Sequence, residues 1–302
     1  MPERGTVVQA GVDSTVPRRE LGRHLRQLRE EARLTIRVVS EALEWSMPKI
    51  WRIESGATSM RSLDVEAMCR IYGASPEMTE ALTGLAKETR GRGWWHSYGA
   101  AIPQWFELYA GLEAAASRLR MYEPQFVPGL LQTPAYATEF VRIGSPELGP
   151  AERERMVEVE LGRQAILSRQ RGPLPQLDVI LDEAVLRRAA GSGSMMSEQL
   201  RHLVTVSEQP NISVRVLPFS IGLHRAEHAN GGFAILEFPT DGLGRRTEPP
   251  IVYSGGLTGA IYLEQPHEVD SHAAVWSDIE ALSLTEDLSR KFITSIAEEY
   301  GG

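Results

Sequence analysis

Residues Thr35 to Gly56 read TIRVVSEALEWSMPKIWRIESG. Thr35 is a good N-cap, and the apolar positions that follow predict a short helix with Val38, Val39, Ala42 and Leu43 on its buried face. Glu44-Trp45-Ser46 reads as a tight turn. Ser46 is placed to cap a second helix, and Pro48 falls in its first turn, where a missing N–H does no harm. Ile50 and Ile53 form the inner face of that helix, and Gly56 ends it. Two short helices joined by a turn of three to four residues make a helix-turn-helix arrangement.

The flanking sequence supports the same reading. Upstream, ELGRHLRQLREEARL places Leu21, Leu25, Leu28 and Ala32 at helical spacing. Downstream, SLDVEAMCRIYG predicts a helix with Leu63, Val65, Met68 and Ile71 inward, and SPEMTEALTGLAKETRG predicts another. No β-pattern intervenes. Residues 18–90 are therefore expected to form an all-α bundle of five helices, after a flexible tail at 1–17 that has no apolar core of a signal peptide.

A helix that enters the major groove exposes what its inner face leaves over. Here that is Met47, Pro48, Lys49, Trp51 and Arg52. Lys49 and Arg52 can donate to guanine or to phosphate, and Met47 and Trp51 can pack on thymine methyls or sugar. Thr35 opens a helix whose first N–H groups, with Ile36 beside them, suit a phosphate. Arg23, Ser46, Arg61 and Ser62 complete the candidate DNA-binding set. Trp51 also admits two other readings, as a core residue or as a dimer contact, and the whole segment could serve an α-helical protein-interaction domain.

Charge supports nucleic acid locally. The 302 residues carry a net −8, yet Pro17–Arg61 holds ten basic and six acidic residues, +4, which leaves −12 for the remainder. Screening confines a surface field to roughly 8–10 Å, so a basic region on an acidic body can still hold phosphate. Arginine supplies 29 of the 32 basic residues. The lone cysteine, Cys69, rules out an internal disulfide framework, fits a reducing cytoplasm and reads as a small buried apolar residue. No apolar run approaches the ~20 residues needed to span a bilayer.

Beyond the bundle, RGRGWWHSYGAAIPQWF suggests a hinge, and FELYAGLEAAASRLRMYE reads as helix throughout, with Leu108, Leu112, Ala115 and Leu119 on one face. Residues 91–120 are thus expected to be a hinge and linker helix. From 121 to 302 the pattern changes to a larger mixed-sheet domain of α+β or α/β class. QLDVILDEAVL, NISVRVLPF and GGFAILEF predict strands, with a helix between the first two that suggests one parallel crossover. PPIVYSGG and AIYLEQP suggest antiparallel additions, and a helix pair closes the chain.

LRQLREEARLTIRVVSEALEWSMPKIWRIESG resembles the XRE (Cro/C1-type) helix-turn-helix family, through Leu34-Thr35, Ser46, Ile50, Arg52, Ile53, Glu54 and Gly56. It departs at Ile36, where the family often has glutamine, at Glu44 in place of the turn glycine, and at Pro48 and Trp51. Trp95, Leu112-Glu113, Tyr122-Glu123, VPGLLQTPAYA, LDEAVLRR and VRVLPF…FAILEF are similar to actinobacterial XRE-type regulators of the WhiJ kind, which carry a C-terminal domain of unknown function. The resemblance implies a DNA-binding transcriptional regulator in an antitoxin-like or developmental role, often paired with a small partner protein encoded nearby.

Other constellations carry less. His224–His228 reads HRAEH, an H-x-x-E-H pattern, but its neighbours suggest a loop rather than the zinc-binding helix that pattern requires. YSGGLTG lacks the lysine of a phosphate loop. Asp182-Glu183 reads as a strand-end pair that caps the next segment. The expectation is a repressor-type regulator, homodimeric on an inverted repeat of double-stranded DNA, cytoplasmic and nucleoid-associated when bound, with no catalysis, cofactor or metal. The second domain is expected to bind a small partner protein or a ligand, with Trp94, Trp95, Trp105, Tyr109, His224 and His228 as the candidate surface. In the alternative reading this domain is the functional centre, and the helix-turn-helix serves assembly.

Overall fold

The computed structural model of the protein describes residues 15–89, 104–169, 173–229, 231–240, 246–256 and 259–301. They cluster into two compact units, Met1–Ser97 with Thr240–Glu248, and Tyr98–Pro239 with Pro249–Gly302.

The first unit holds α1 (Thr15–Glu31), α2 (Ile36–Leu43), α3 (Met47–Glu54), α4 (Ser62–Tyr72) and α5 (Pro76–Glu88). The Thr35 hydroxyl accepts from Val38 N at 3.3 Å and caps α2, and Ser75 caps α5 in the same way. Helices this short are marginal alone and are held by packing. Leu21, Leu25, Val39, Ile50, Ile53, Val65, Met68 and Cys69 form the shared core, each large side chain contributing about 1.5–3 kcal/mol.

Three expectations need correction. The helix α1 starts at Thr15, inside the span read as a tail, because Thr15 and Val16 are buried. On α2 the inward residues are Ile36, Val39 and Leu43, while Val38 and Ala42 are exposed. Starting at Ile36, the 3–4 spacing selects 36, 39 and 43. On α4, Leu63 is 73% exposed, and Val65, Met68, Cys69 and Tyr72 face inward.

The second unit is built on a six-stranded sheet of order β3-β2-β1-β4-β5-β6. Its strands are β1 (Arg118–Glu123), β2 (Gln176–Asp182), β3 (Ile212–Leu217), β4 (Phe233–Glu237), β5 (Ile251–Gly256) and β6 (Gly259–Leu263). The β1–β2 and β2–β3 pairs are parallel, and the others antiparallel. The expected crossover is β2 to β3 through α9 (Glu183–Arg187) and α10 (Gly193–Val206). The closing pair is α11 (Pro266–Leu282) and α12 (Glu286–Gly301), with α12 joined to α10 where Ser197 Oγ donates to Ala297 O at 2.8 Å.

The linker expectation also changes. Residues 90–103 lie outside the described residues, and α6 (Gln104–Ala115) clusters with the second unit. Arg118–Glu123, read as the end of a helix, is the central strand β1. Its arginines are neutralised across the sheet, Arg118 by Asp178 at 2.7 Å and Arg120 by Glu237 at 2.6 Å.

VPGLLQTPAYA is a buried latch between β1 and α7 (Pro134–Gly144). Gln132 Nε2 donates to Val127 O, Val127 N donates to Tyr136 Oη, and Gln199 both accepts from Thr133 N and donates to Leu131 O. Beside it, Arg163, on α8 (Pro150–Arg163), donates twice to Glu113 and once to Glu160. Buried charges persist only when paired and hydrogen-bonded in this way. No helix among the described residues is long and apolar enough to cross a membrane.

Candidate nucleic-acid interface

The turn between α2 and α3 is Glu44-Trp45-Ser46. Glu44 adopts the left-handed conformation, with φ 55°, which non-glycine residues adopt at some strain. Trp45 N donates to Ser40 O at 3.0 Å, and the Ser40 hydroxyl donates back to Trp45 O. The Lys49 ammonium lies 3.4 Å from the centroid of the Trp45 ring, so the turn tryptophan holds a lysine of the next helix by cation–π attraction.

The inner side of α3 is fixed to α1. Ile50 and Ile53 are buried, and the buried Glu54 carboxylate accepts from Arg29 Nε at 2.7 Å and Nη2 at 2.9 Å. Arg29 Nη1 also donates to Leu34 O at 2.9 Å. The hydrogen bond to Glu54 raises the Arg29 pKa against the opposing effect of burial, and burial pushes the Tyr72 phenol up beside the same carboxylate. The two helices approach so closely that a Cβ on Gly22 would stand 2.6 Å from Ile53 O.

This clamp leaves Met47, Pro48, Trp51 and Arg52 exposed on α3, with Trp51 at 61%, and Lys49 half-buried. Trp51 is therefore not a core residue. Ser46 has extended backbone but makes no capping bond through its side chain, so its hydroxyl is open at the helix start. Thr35 is exposed and Ile36 half-buried at the N-terminus of α2; Arg61 is exposed at the start of α4, and Ser62 donates weakly to Thr83 O at 3.5 Å. Arg23 differs from the others. Its Nη1 lies 2.5 Å from Oε1 of Glu248, which also accepts from Arg19 Nε at 3.0 Å and is 1% exposed. Neither Glu248 nor Trp45 was singled out by sequence reading. No local signal points to Glu248, whose partners lie far away in the chain.

Only part of the candidate partner surface falls within the described residues. Trp94 and Trp95 lie outside the described residues, as does the Trp105 side chain on α6. Tyr109 is buried and stacks on Tyr253 with centroids 4.0 Å apart. The His224 side chain is buried too, and His228 is exposed on the 3-10 turn Arg225–Ala229. That turn gives HRAEH no α-helical face, and no group of metal-ligating side chains is found among the described residues. Asp182 accepts from Ala184 N at 2.7 Å and caps α9.

A helix-turn-helix domain family matches residues 20–82, which span α2 and α3. A domain of unknown function, DUF5753, matches residues 106–295. No curated protein and no solved structure matches the chain. The first unit thus carries the helix-turn-helix domain of a DNA-binding regulator, and with most of its length matched the chain belongs to the DUF5753 family.

Proposed function

We propose that the protein is a sequence-specific transcriptional regulator of the XRE class, WhiJ-like, acting as a repressor in an antitoxin-like or developmental role. Arg52, Lys49, Met47, Pro48 and Trp51 read bases, and Thr35, Ile36, Ser46, Arg61 and Ser62 hold the backbone, joined by Arg23 once it leaves Glu248. The observation that carries this reading is the exposed Met47–Arg52 face on a helix whose opposite side is locked by Arg29–Glu54. Exposed tryptophan beside arginine suits sugar, methyl and guanine contacts together. One such module buries little surface, so the protein acts as a homodimer on an inverted repeat. The second unit serves as the sensor, binding a small partner protein or a ligand.

The test is capture of pooled genomic DNA fragments by the full chain, followed by sequencing, at two salt concentrations. Recovery of one palindromic sequence that survives the higher salt supports the reading. Weak recovery of all fragments, lost at higher salt, means phosphate contact alone and overturns the claim of specificity.

A further inference from the structure

A group of polar side chains gathers at the carboxyl ends of β1 and β2 in the second unit. Tyr122 aligns with Ile180 in the parallel register, and Asp182 lies two residues further along β2, so both are on one face of the sheet. Over that face the chain beyond β3 forms two 3-10 turns, Phe219–Ile221 and Arg225–Ala229, with His224 between them. The His224 side chain is 3% exposed and meets the Tyr122 ring edge-on, with centroids 6.0 Å apart at 89°. Its Nε2 is 3.4 Å from Glu227 Oε1, and its Nδ1 is buried with no hydrogen-bond partner. Such an atom is unfavourable in a finished core.

The charges around it are one-sided. Asp182 uses one oxygen on Ala184 N; burial lifts its carboxyl above the ordinary range, and Glu227 and Glu183 add to the lift while His224 opposes it. Glu183 is satisfied by Arg187 and by Phe219 N. The arginine on the covering segment, Arg225, turns to Asp278. An anion would meet Asp182, Glu183 and Glu227, whereas a cation supplies the missing charge. The covering segment also exposes two apolar side chains: Phe219 is exposed, and Leu223 is 94% exposed next to Gly222, which has φ 71°.

We propose that this polar cluster binds a small organic amine. Asp182 and the Tyr122 hydroxyl take its ammonium beside His224, and Phe219 and Leu223 cover its carbon body. An ammonium offers three donors, enough for a carboxylate, a phenol oxygen and an imidazole nitrogen, and open α/β sheets take ligands outside the carboxyl ends of their strands. The inference deepens the sensor reading of the second unit and rests on it only for its regulatory meaning.

The experiment is an NMR titration of full-length protein carrying 13C-labelled histidine, with phenethylamine and putrescine as probes and the His224 signal assigned from His224→Asn. The expected result is a saturable shift of that signal with phenethylamine, lost in Asp182→Asn, weakened at least several-fold in Tyr122→Phe and unchanged in Glu154→Gln. Asparagine still caps a helix, and phenylalanine keeps the ring packing, so both variants fold. No shift with either amine, or an equal shift in Asp182→Asn, overturns the site. Repeating DNA capture with and without phenethylamine separates the two readings. A saturating His224 shift with unaltered DNA capture keeps the site and removes its regulatory role.

Discussion

Glu54 is a carboxylate nearly shut off from water and held by two N–H groups of Arg29. Removing one member of such a pair leaves a buried charge behind, at about 3–5 kcal/mol. Glu54→Ala is therefore expected to lower the stability of the first unit by that much, as read from urea melts, and to abolish DNA binding through loss of the α1–α3 clamp. Trp51→Ala should do the reverse. An exposed side chain contributes within about 0.5 kcal/mol to folding, so the variant should melt like wild type while DNA affinity falls. Arg52→Ala should lose about 1–3 kcal/mol of operator binding and relax specificity at one position. Unchanged specificity would remove Arg52 from the reading set. In the second unit, burial lifts the Glu123 carboxyl from 4.5 to about 8. The folded chain then keeps a proton that the unfolded chain releases, so this group destabilises the fold progressively as pH rises from about 4.5 to about 8. Glu123→Gln should flatten the decline in melting temperature between pH 5 and pH 8, and parallel curves for the two proteins would refute this.

At the scale of elements, the turn at Glu44 carries a removable strain. A left-handed non-glycine residue pays roughly 1–2 kcal/mol, partly offset by the entropy that glycine loses on folding. Glu44→Gly should stabilise the first unit by up to about 1 kcal/mol in denaturant melts without altering operator affinity. All five helices of the bundle could be read from the sequence because caps and periodicity are local signals, as at Thr35 and Ser75. The outward placement of Met47, Trp51 and Arg52 follows from the inward placement of Ile50 and Ile53. Strand β1 could not be read so. Leu119 continues the helical spacing of Leu108, Leu112 and Ala115, and what makes Arg118 and Arg120 tolerable in a central strand is Asp178 and Glu237, 60 and 117 residues away. The same holds for His224 and Asp182, which look unrelated in the sequence and come within electrostatic reach only once the chain is folded.

At the scale of the molecule, the first unit is not continuous in the chain. Thr240–Glu248, which follow β4 and precede β5, belong to it, and Glu248 holds Arg19 and Arg23 there. Glu248→Gln is expected to cost this unit about 1–3 kcal/mol, the worth of a charge-assisted hydrogen bond. It should also release Arg23, steepening the salt dependence of DNA binding by about one phosphate contact. A melting temperature and a salt slope both equal to wild type would show that Glu248 neither supports the unit nor restrains Arg23. The order of synthesis gives this arrangement a further meaning. Arg19 precedes Glu248 by 229 residues, and at ~5–20 residues per second the ribosome delivers the two on the order of 10–45 s apart. Throughout that interval the nascent helices lack this carboxylate, so the unit that carries the helix-turn-helix is completed only after most of the second unit has been made.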